Sequence, residues 1–206
     1  MDQYRKELSM EERERKIKEA EEKYSGFMDV ILPGWRNDPN SKDTAHRVAK
    51  MYVNELLDGY YGPEPKITAF PNVNEYTGIV FQGNIDVRSM CSHHHAFFFG
   101  SCNIAYLPKK DGNIIGLSKL NRIVNFYARR VQVQENLCQQ ILEAIEKHVG
   151  PNQGVAVHIK AKHTCVSHRG VNQASEMQTT RLSGVFLDST NSAREEFYQM
   201  TSNLSK

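Results

Sequence analysis

Cys91, His93, His94 and His95 put one thiol and three imidazoles within five residues, in the run Ser89-Met90-Cys91-Ser92-His93-His94-His95-Ala96-Phe97-Phe98-Phe99-Gly100. Cys91 and His94 stand three apart, a spacing at which one turn of chain offers a sulfur and a nitrogen to one metal ion. Zinc accepts both ligand types, and a catalytic zinc keeps three protein ligands and an open position for water. Far along the chain, His163-Thr164-Cys165 repeats the pairing of a His with a Cys. On a strand end, residues i and i+2 share a face. The smallest consistent set is Cys91, His94 and Cys165 on zinc, with water in the fourth position. His93 and His163 then remain as titratable neighbours suited to moving protons near neutral pH. The competing reading makes Cys165 a small buried hydrophobe and His163 a satisfied polar residue.

Three further groups carry charge or hydrogen-bonding capacity. In Gly116-Leu117-Ser118-Lys119-Leu120-Asn121-Arg122, a turn glycine precedes Ser118, placed to cap a helix, with Lys119 and Arg122 in its first turn. Free backbone N–H groups and two cations there make a seat for phosphate. The glycine pattern of a Walker loop is absent. Gln132-Val133-Gln134-Glu135 sets a carboxylate among amides at a helix start. That serves either as plain capping or as a grip on a planar donor pair, such as the N1–H and exocyclic amine of a guanine edge. Arg169 follows Cys165 by four residues, close enough to hold an anion in the same pocket. Arg47 and Lys50 lie three apart on a helix. Such cations are ordinarily solvated and matter only if they face a site.

The elements that must position these groups follow from periodicity. Residues 5–31 read as a helix with Ile17, Ala20, Tyr24, Phe27, Met28 and Ile31 as its apolar stripe. A second helix is expected over 44–57, capped by Asp43 or Thr44. Short β-rich runs follow at 66–70, 78–81, 85–90, 97–107 and 113–116, the last two joined by a hairpin loop at 108–112. Two helices come next, over 118–130 and 132–149, the second stopped by Gly150. A long strand over 154–166 puts Val155, Val157, Ile159 and Ala161 on one face. A strand over 181–187 and a helix opened by a capping box at Ser192–Glu195 complete the chain. The pattern is α+β, a largely antiparallel sheet with a helix pair on one face.

At 206 residues the chain has room for a real core. Its formal net charge of +2 points to neither nucleic acid nor membrane, so any anionic ligand must be met by local cations. The polar N-terminus lacks the apolar core of a signal peptide, and no run approaches a membrane span. Cys91, Cys102, Cys138 and Cys165 are then expected as free thiols or ligands in a reducing, cytoplasmic setting.

Taken in order, these pieces resemble the GTP cyclohydrolase I family. The shared text is Asp38-Pro39-Asn40 with Thr44, Arg47-Val48-Ala49-Lys50-Met51-Tyr52, Ser89-Met90-Cys91 with His93-His94, and Phe98 with Gly100. It continues through Gly116-Leu117-Ser118-Lys119, Arg122, Arg129 to Glu135, His163, Cys165, Arg169-Gly170-Val171, Gly184 and Phe186, covering roughly 35–187. The resemblance implies a tunnelling fold (T-fold), in which sheets from several subunits close into a toroidal β-barrel. It implies a homodecamer of two pentamers with sites at subunit interfaces. Segments 1–34, 35–190 and 191–206 then become an N-terminal helical extension, the catalytic domain and a C-terminal helix.

The implied reaction converts GTP and water to 7,8-dihydroneopterin triphosphate and formate, feeding a pterin, folate or deazaguanine pathway. Carried over by position, Cys91, His94 and Cys165 bind zinc, whose water attacks C8. His163 protonates N7, His93 assists later proton movements, and Ser118 serves the sugar rearrangement. Glu135, with Gln134 beside it, holds the guanine edge. Lys119, Arg122 and Arg169, with Arg47 and Lys50 from a neighbouring subunit, hold the triphosphate.

The chain departs from the family at several positions. Ser92 stands where the family usually has Glu, His95 and Phe97 replace Leu and Pro, and Ala45 replaces a common Pro. The segment from Val171 to Gly184 is about one residue shorter than usual. His95, as a strand neighbour of His94, is expected on the opposite face. These changes leave two alternatives open: a divergent cyclohydrolase with altered nucleotide specificity or arrest at an intermediate, and a catalytically impaired nucleotide-binding ring.

Overall fold

The computed structural model describes residues 4–204. The polar start read at residues 1–3 and the last two positions of the 191–206 segment lie outside the described residues. The chain divides into two compact units at Glu64–Pro65.

In the first unit, α1 (Met10–Ile31) begins at a reciprocal cap. Ser9 Oγ accepts the Glu12 N–H at 3.2 Å, and the Glu12 carboxylate accepts the Ser9 N–H at 2.8 Å. The helix starts later than the expected residue 5 because the preceding chain is engaged elsewhere. The Lys6 and Leu8 N–H groups donate to the Tyr60 and Tyr61 carbonyls. Ile17 packs on Ala49 and Val53, and Met28 on Trp35 and Ala45, while Phe27 and Ile31 of the expected stripe stay exposed. The second expected helix is interrupted. It runs as α2 (Thr44–Met51), passes through a π-turn at Tyr52–Leu56, and ends as α3 (Asp58–Tyr61). Asp43 precedes α2 but makes no capping bond; its carboxylate takes Arg47 Nη2 at 3.3 Å.

The second unit holds a five-stranded sheet in the order β5-β2-β3-β6-β7. Its strands are β2 (Val80–Cys91), β3 (Phe97–Pro108), β5 (Val131–Gln132), β6 (Asn152–His163) and β7 (Glu176–Leu182). All neighbours run antiparallel except β2 and β5. The two strands expected over 78–90 are one strand with a register shift between Gln82 and Ile85. Asn84 sits there at φ 54°, a conformation that Asn tolerates. Loop 108–112 closes no hairpin between its flanking strands. It leads instead to β4 (Asn113–Ile115), which pairs with β1 (Ala69–Pro71) in a separate ribbon.

The helices α4 (Leu117–Ala128) and α5 (Gln134–Val149) cover one sheet face. Leu120, Ile123, Val124, Leu137, Ile141 and Ile145 pack there against alternate residues of β3 and β6, among them Ile104, Tyr106, Val155, Val157 and Ile159. Gly150, at φ 68°, ends α5 as expected. The opposite pleat, Ala105 and Ala156, takes Phe197 of α7 (Ser192–Asn203) and Phe186. The α7 cap is Asn191, whose side chain accepts the Ala193 N–H, not a box opened by Ser192. The architecture is therefore α+β, with the helix pair on one face and a terminal helix on the other. Gly100 lets β3 and β6 approach. A Cβ there would collide with the Lys160 carbonyl oxygen.

Candidate functional site

Cys91 closes β2, and its backbone ties the histidine loop. Its N–H donates to the Ala96 carbonyl and its own carbonyl accepts the His95 N–H, each at 2.9 Å. This tight return forces His95 to φ 51°. Strand β5 lies parallel beside Cys91, in register at Gln132, and delivers the start of α5 to the same end of the sheet. From the other side, β6 ends at His163, paired across the ladder with Phe98. A helical turn, α6 (Thr164–Ser167), begins immediately. Cys165 therefore reaches the site by a turn of helix, not along a shared strand face as the spacing implied.

The result is a cluster. Ligand atoms of Cys91, His163 and Cys165 lie within 4.8 Å of one another. They line a cavity of about 250 Å³ together with His93, Gln134 and Glu135. His93 Nδ1 is 3.6 Å from the Cys91 sulfur. His94 takes another course: its exposed Nε2 accepts a bond from Arg169 Nη1 at 3.2 Å. His94 is not part of the cluster. His163 appears in the cluster where the spacing had put His94.

Electrostatics fit a cation. Burial, together with the neighbouring Cys91, holds the Cys165 thiol above its ordinary range. A divalent ion beside the Cys165 sulfur reverses that preference. Burial pushes the His163 imidazole below its ordinary value, opposed by the Glu135 carboxylate. His163 is thus favoured neutral, as a metal ligand or a proton acceptor must be. Two sulfurs with an imidazole, whether His163 in place or His94 from the adjoining loop, are donors that zinc accepts.

Gln134 is 1% exposed, and its carboxamide is engaged by protein on every side. Nε2 lies 3.1 Å from the Ile159 carbonyl, 3.3 Å from that of Met177 and 3.1 Å from Thr179 Oγ1; Oε1 lies 2.9 Å from His163 Nε2. Glu135 is exposed in the first turn of α5 and lines the cavity. Among the described residues, those of the run 116–122 do not line this cavity. Ser118, Lys119 and Arg122 occupy the first turns of α4, whose cap is Gly116 without a side-chain bond from Ser118. Arg47 and Lys50 lie exposed on α2.

Ser175, Glu176 and Met177 also line the cavity and were not foreseen. Glu176 and Met177 begin β7, with Ser175 just before it; the strand is expected only from Arg181. The polar run Glu176-Met177-Gln178 hides that strand, and its signal is the β-branched pair Thr179-Thr180.

Comparison with known proteins places these features in a family context. Residues 26–202 match the family model described as GTP cyclohydrolase I. "GTP cyclohydrolase 1" of Serratia proteamaculans is 40% identical over 191 residues, covering 92% of this chain and 83% of that protein. The protein of the same name from Aeromonas hydrophila is 44% identical over 170 residues, covering 80% and 77%. That from Vibrio campbellii is 42% identical over 192 residues, covering 92% and 85%. Among solved structures, the apo archaeosine synthase QueF-Like overlays 52% of this chain and 93% of its own, at TM-score 0.41 and 19% identity. That overlay is too loose to bear on fold or function.

Proposed function

Because the chain belongs to the GTP cyclohydrolase I family and is an enzyme of that family, we propose that it opens the imidazole ring of GTP hydrolytically at C8. Formate leaves and 7,8-dihydroneopterin triphosphate forms. The observation that carries this reading is the meeting of two thiols, an imidazole and Glu135 in one cavity. At about 250 Å³ the cavity is smaller than the roughly 300–1,000 Å³ that encloses a whole drug-sized ligand. It suits the base of a nucleotide whose ribose and phosphates lie outside.

Cys91 and Cys165 would hold zinc, which when bound supplies a water activated near neutral pH. His94 would be the third ligand, its loop turning Nε2 from Arg169 toward the thiols. His163 stays as the proton carrier toward N7, and His93, against the Cys91 sulfur, serves later proton movements. Glu135 accepts the paired N–H donors of the guanine edge. Lys119, Arg122 and Arg169 meet the triphosphate, joined by Arg47 and Lys50 of a neighbouring subunit in a decameric ring, and Ser118 acts on the opened sugar.

Incubation of the zinc-loaded protein with GTP is expected to release formate and, after oxidation, a fluorescent neopterin. Absence of product from fully loaded protein overturns the reading. Ser92 favours a second one. It places a hydroxyl where the family usually has a carboxylate, and such supporting groups change activity roughly 10–100-fold. Accumulation of a ring-opened, formylated nucleotide in the same reaction, seen by mass spectrometry, would identify arrest at that stage.

A further inference from the structure

The Gln134 carboxamide is held by four protein contacts, three at Nε2 and one at Oε1. The orientation of that amide follows from its neighbours. Two of the three acceptors around Nε2 are the Ile159 and Met177 carbonyls, which cannot donate. Turning the amide over would set its oxygen against both of them. Oε1 therefore faces His163 and accepts, so His163 Nε2 must carry the hydrogen across the 2.9 Å contact. Phe98 fixes the second degree of freedom. Its ring stacks on His163 with centroids 4.6 Å apart and planes 8° from parallel, and Phe98 itself is fully buried.

We propose that Gln134 is a positioning residue that, with Phe98, holds His163 in one plane and as its Nε2–H tautomer, leaving Nδ1 as the nitrogen with a free lone pair. This deepens the proposed function, because it states which ring atom carries the proton: Nδ1 first takes one up from water, and the imidazolium so formed passes it to N7 while Nε2–H stays on Gln134. It also ties that atom to the sheet. The amide is anchored on β6 through Ile159 and on β7 through Met177 and Thr179, while its own Cα begins α5. Three elements thus converge to set one imidazole, the arrangement that lets a proton-transfer group act without reorganising.

Two measurements test it. In protein labelled with 15N-histidine, the His163 resonances, assigned by their loss in His163→Ala, are expected to report a neutral ring protonated at Nε2. A ring protonated at Nδ1 overturns the proposal, and this result needs neither a variant at Gln134 nor any turnover. Gln134→Met keeps the length and removes the amide. Its kcat with GTP is expected to fall roughly 10–100-fold, the usual effect of losing a group that orients a site residue, with KM within about twofold. A rise in KM with kcat retained would place Gln134 on the substrate and overturn it. If the unsubstituted protein releases no formate from GTP, the reaction assignment fails while the histidine spectrum still decides this point.

Discussion

Two imidazoles compete for one role beside Cys91 and Cys165, and their surroundings separate them. His163 is pinned by Phe98 and Gln134, whereas His94 is exposed on a loop and bonded to Arg169. A pinned ring suits proton transfer and a loop ring can turn to a metal. His94→Ala is therefore expected to lose most bound zinc, while His163→Ala keeps its zinc and loses turnover by at least about 100-fold, within the range for general acid–base catalysis. Metal analysis of the two purified variants checks this; the reverse pattern would make His163 the ligand. Cys165→Ser is expected to lose both metal and activity, since a structural role for the thiol would leave zinc content unchanged.

At the scale of elements, the chain carries two devices that can be tested without substrate. The cap of α1 draws the Glu12 carboxyl from its ordinary 4.5 to about 2, chiefly through the Ser9 backbone N–H and then Lys6. A carboxylate depressed on folding stabilises fully above its unfolded pKa and loses that effect as pH falls through the folded one. The first turn of α1 is therefore expected to hold at pH 5 and to loosen between about 4.5 and 2, visible as faster amide exchange at Glu12 and Arg13. Ser9→Ala should loosen it at neutral pH, by about 0.5–2 kcal/mol for a lost cap. Gly100→Ala forces a methyl against the Lys160 carbonyl where β3 meets β6. Overpacking of this kind costs about 1–3 kcal/mol, so thermal unfolding should shift several degrees downward.

The same elements show what a single sequence makes legible. Val155, Val157, Ile159 and Ala161 alternate cleanly, and all four lie in the core beneath α4 and α5. The thiols of Cys91 and Cys165 are legible as a pair because each sits beside a histidine and little else in the chain competes. The pairing of β1 with β4 is not legible, since it joins segments more than forty residues apart and depends on where the sheet ends. Nor is the helical turn at Thr164. Alternation runs on past His163, and only the packing of α6 against the strand ends stops it. The setting of the Gln134 amide is not legible for a related reason. Whether a glutamine faces ligand or protein is decided by carbonyls on two strands far away in sequence.

At the scale of the whole molecule, the sheet is left open. Strand β5 covers β2 only at Met90 and Cys91, and β7 forms the other edge. On β3, Phe97 and Phe99 are 44% and 47% exposed. Unpaired edges and exposed aromatics are what closure with other copies would cover, in line with the proposed ring. Native mass spectrometry is expected to give ten chains, and a stable monomer at working concentration would contradict the ring. No described helix is long and apolar enough to cross a membrane. The most direct test follows one atom. Zinc-loaded protein given GTP labelled with 13C at C8 is expected to release formate carrying all of the label. Label that stays in the nucleotide, or GTP that remains unchanged, would contradict the hydrolytic opening on which the account rests.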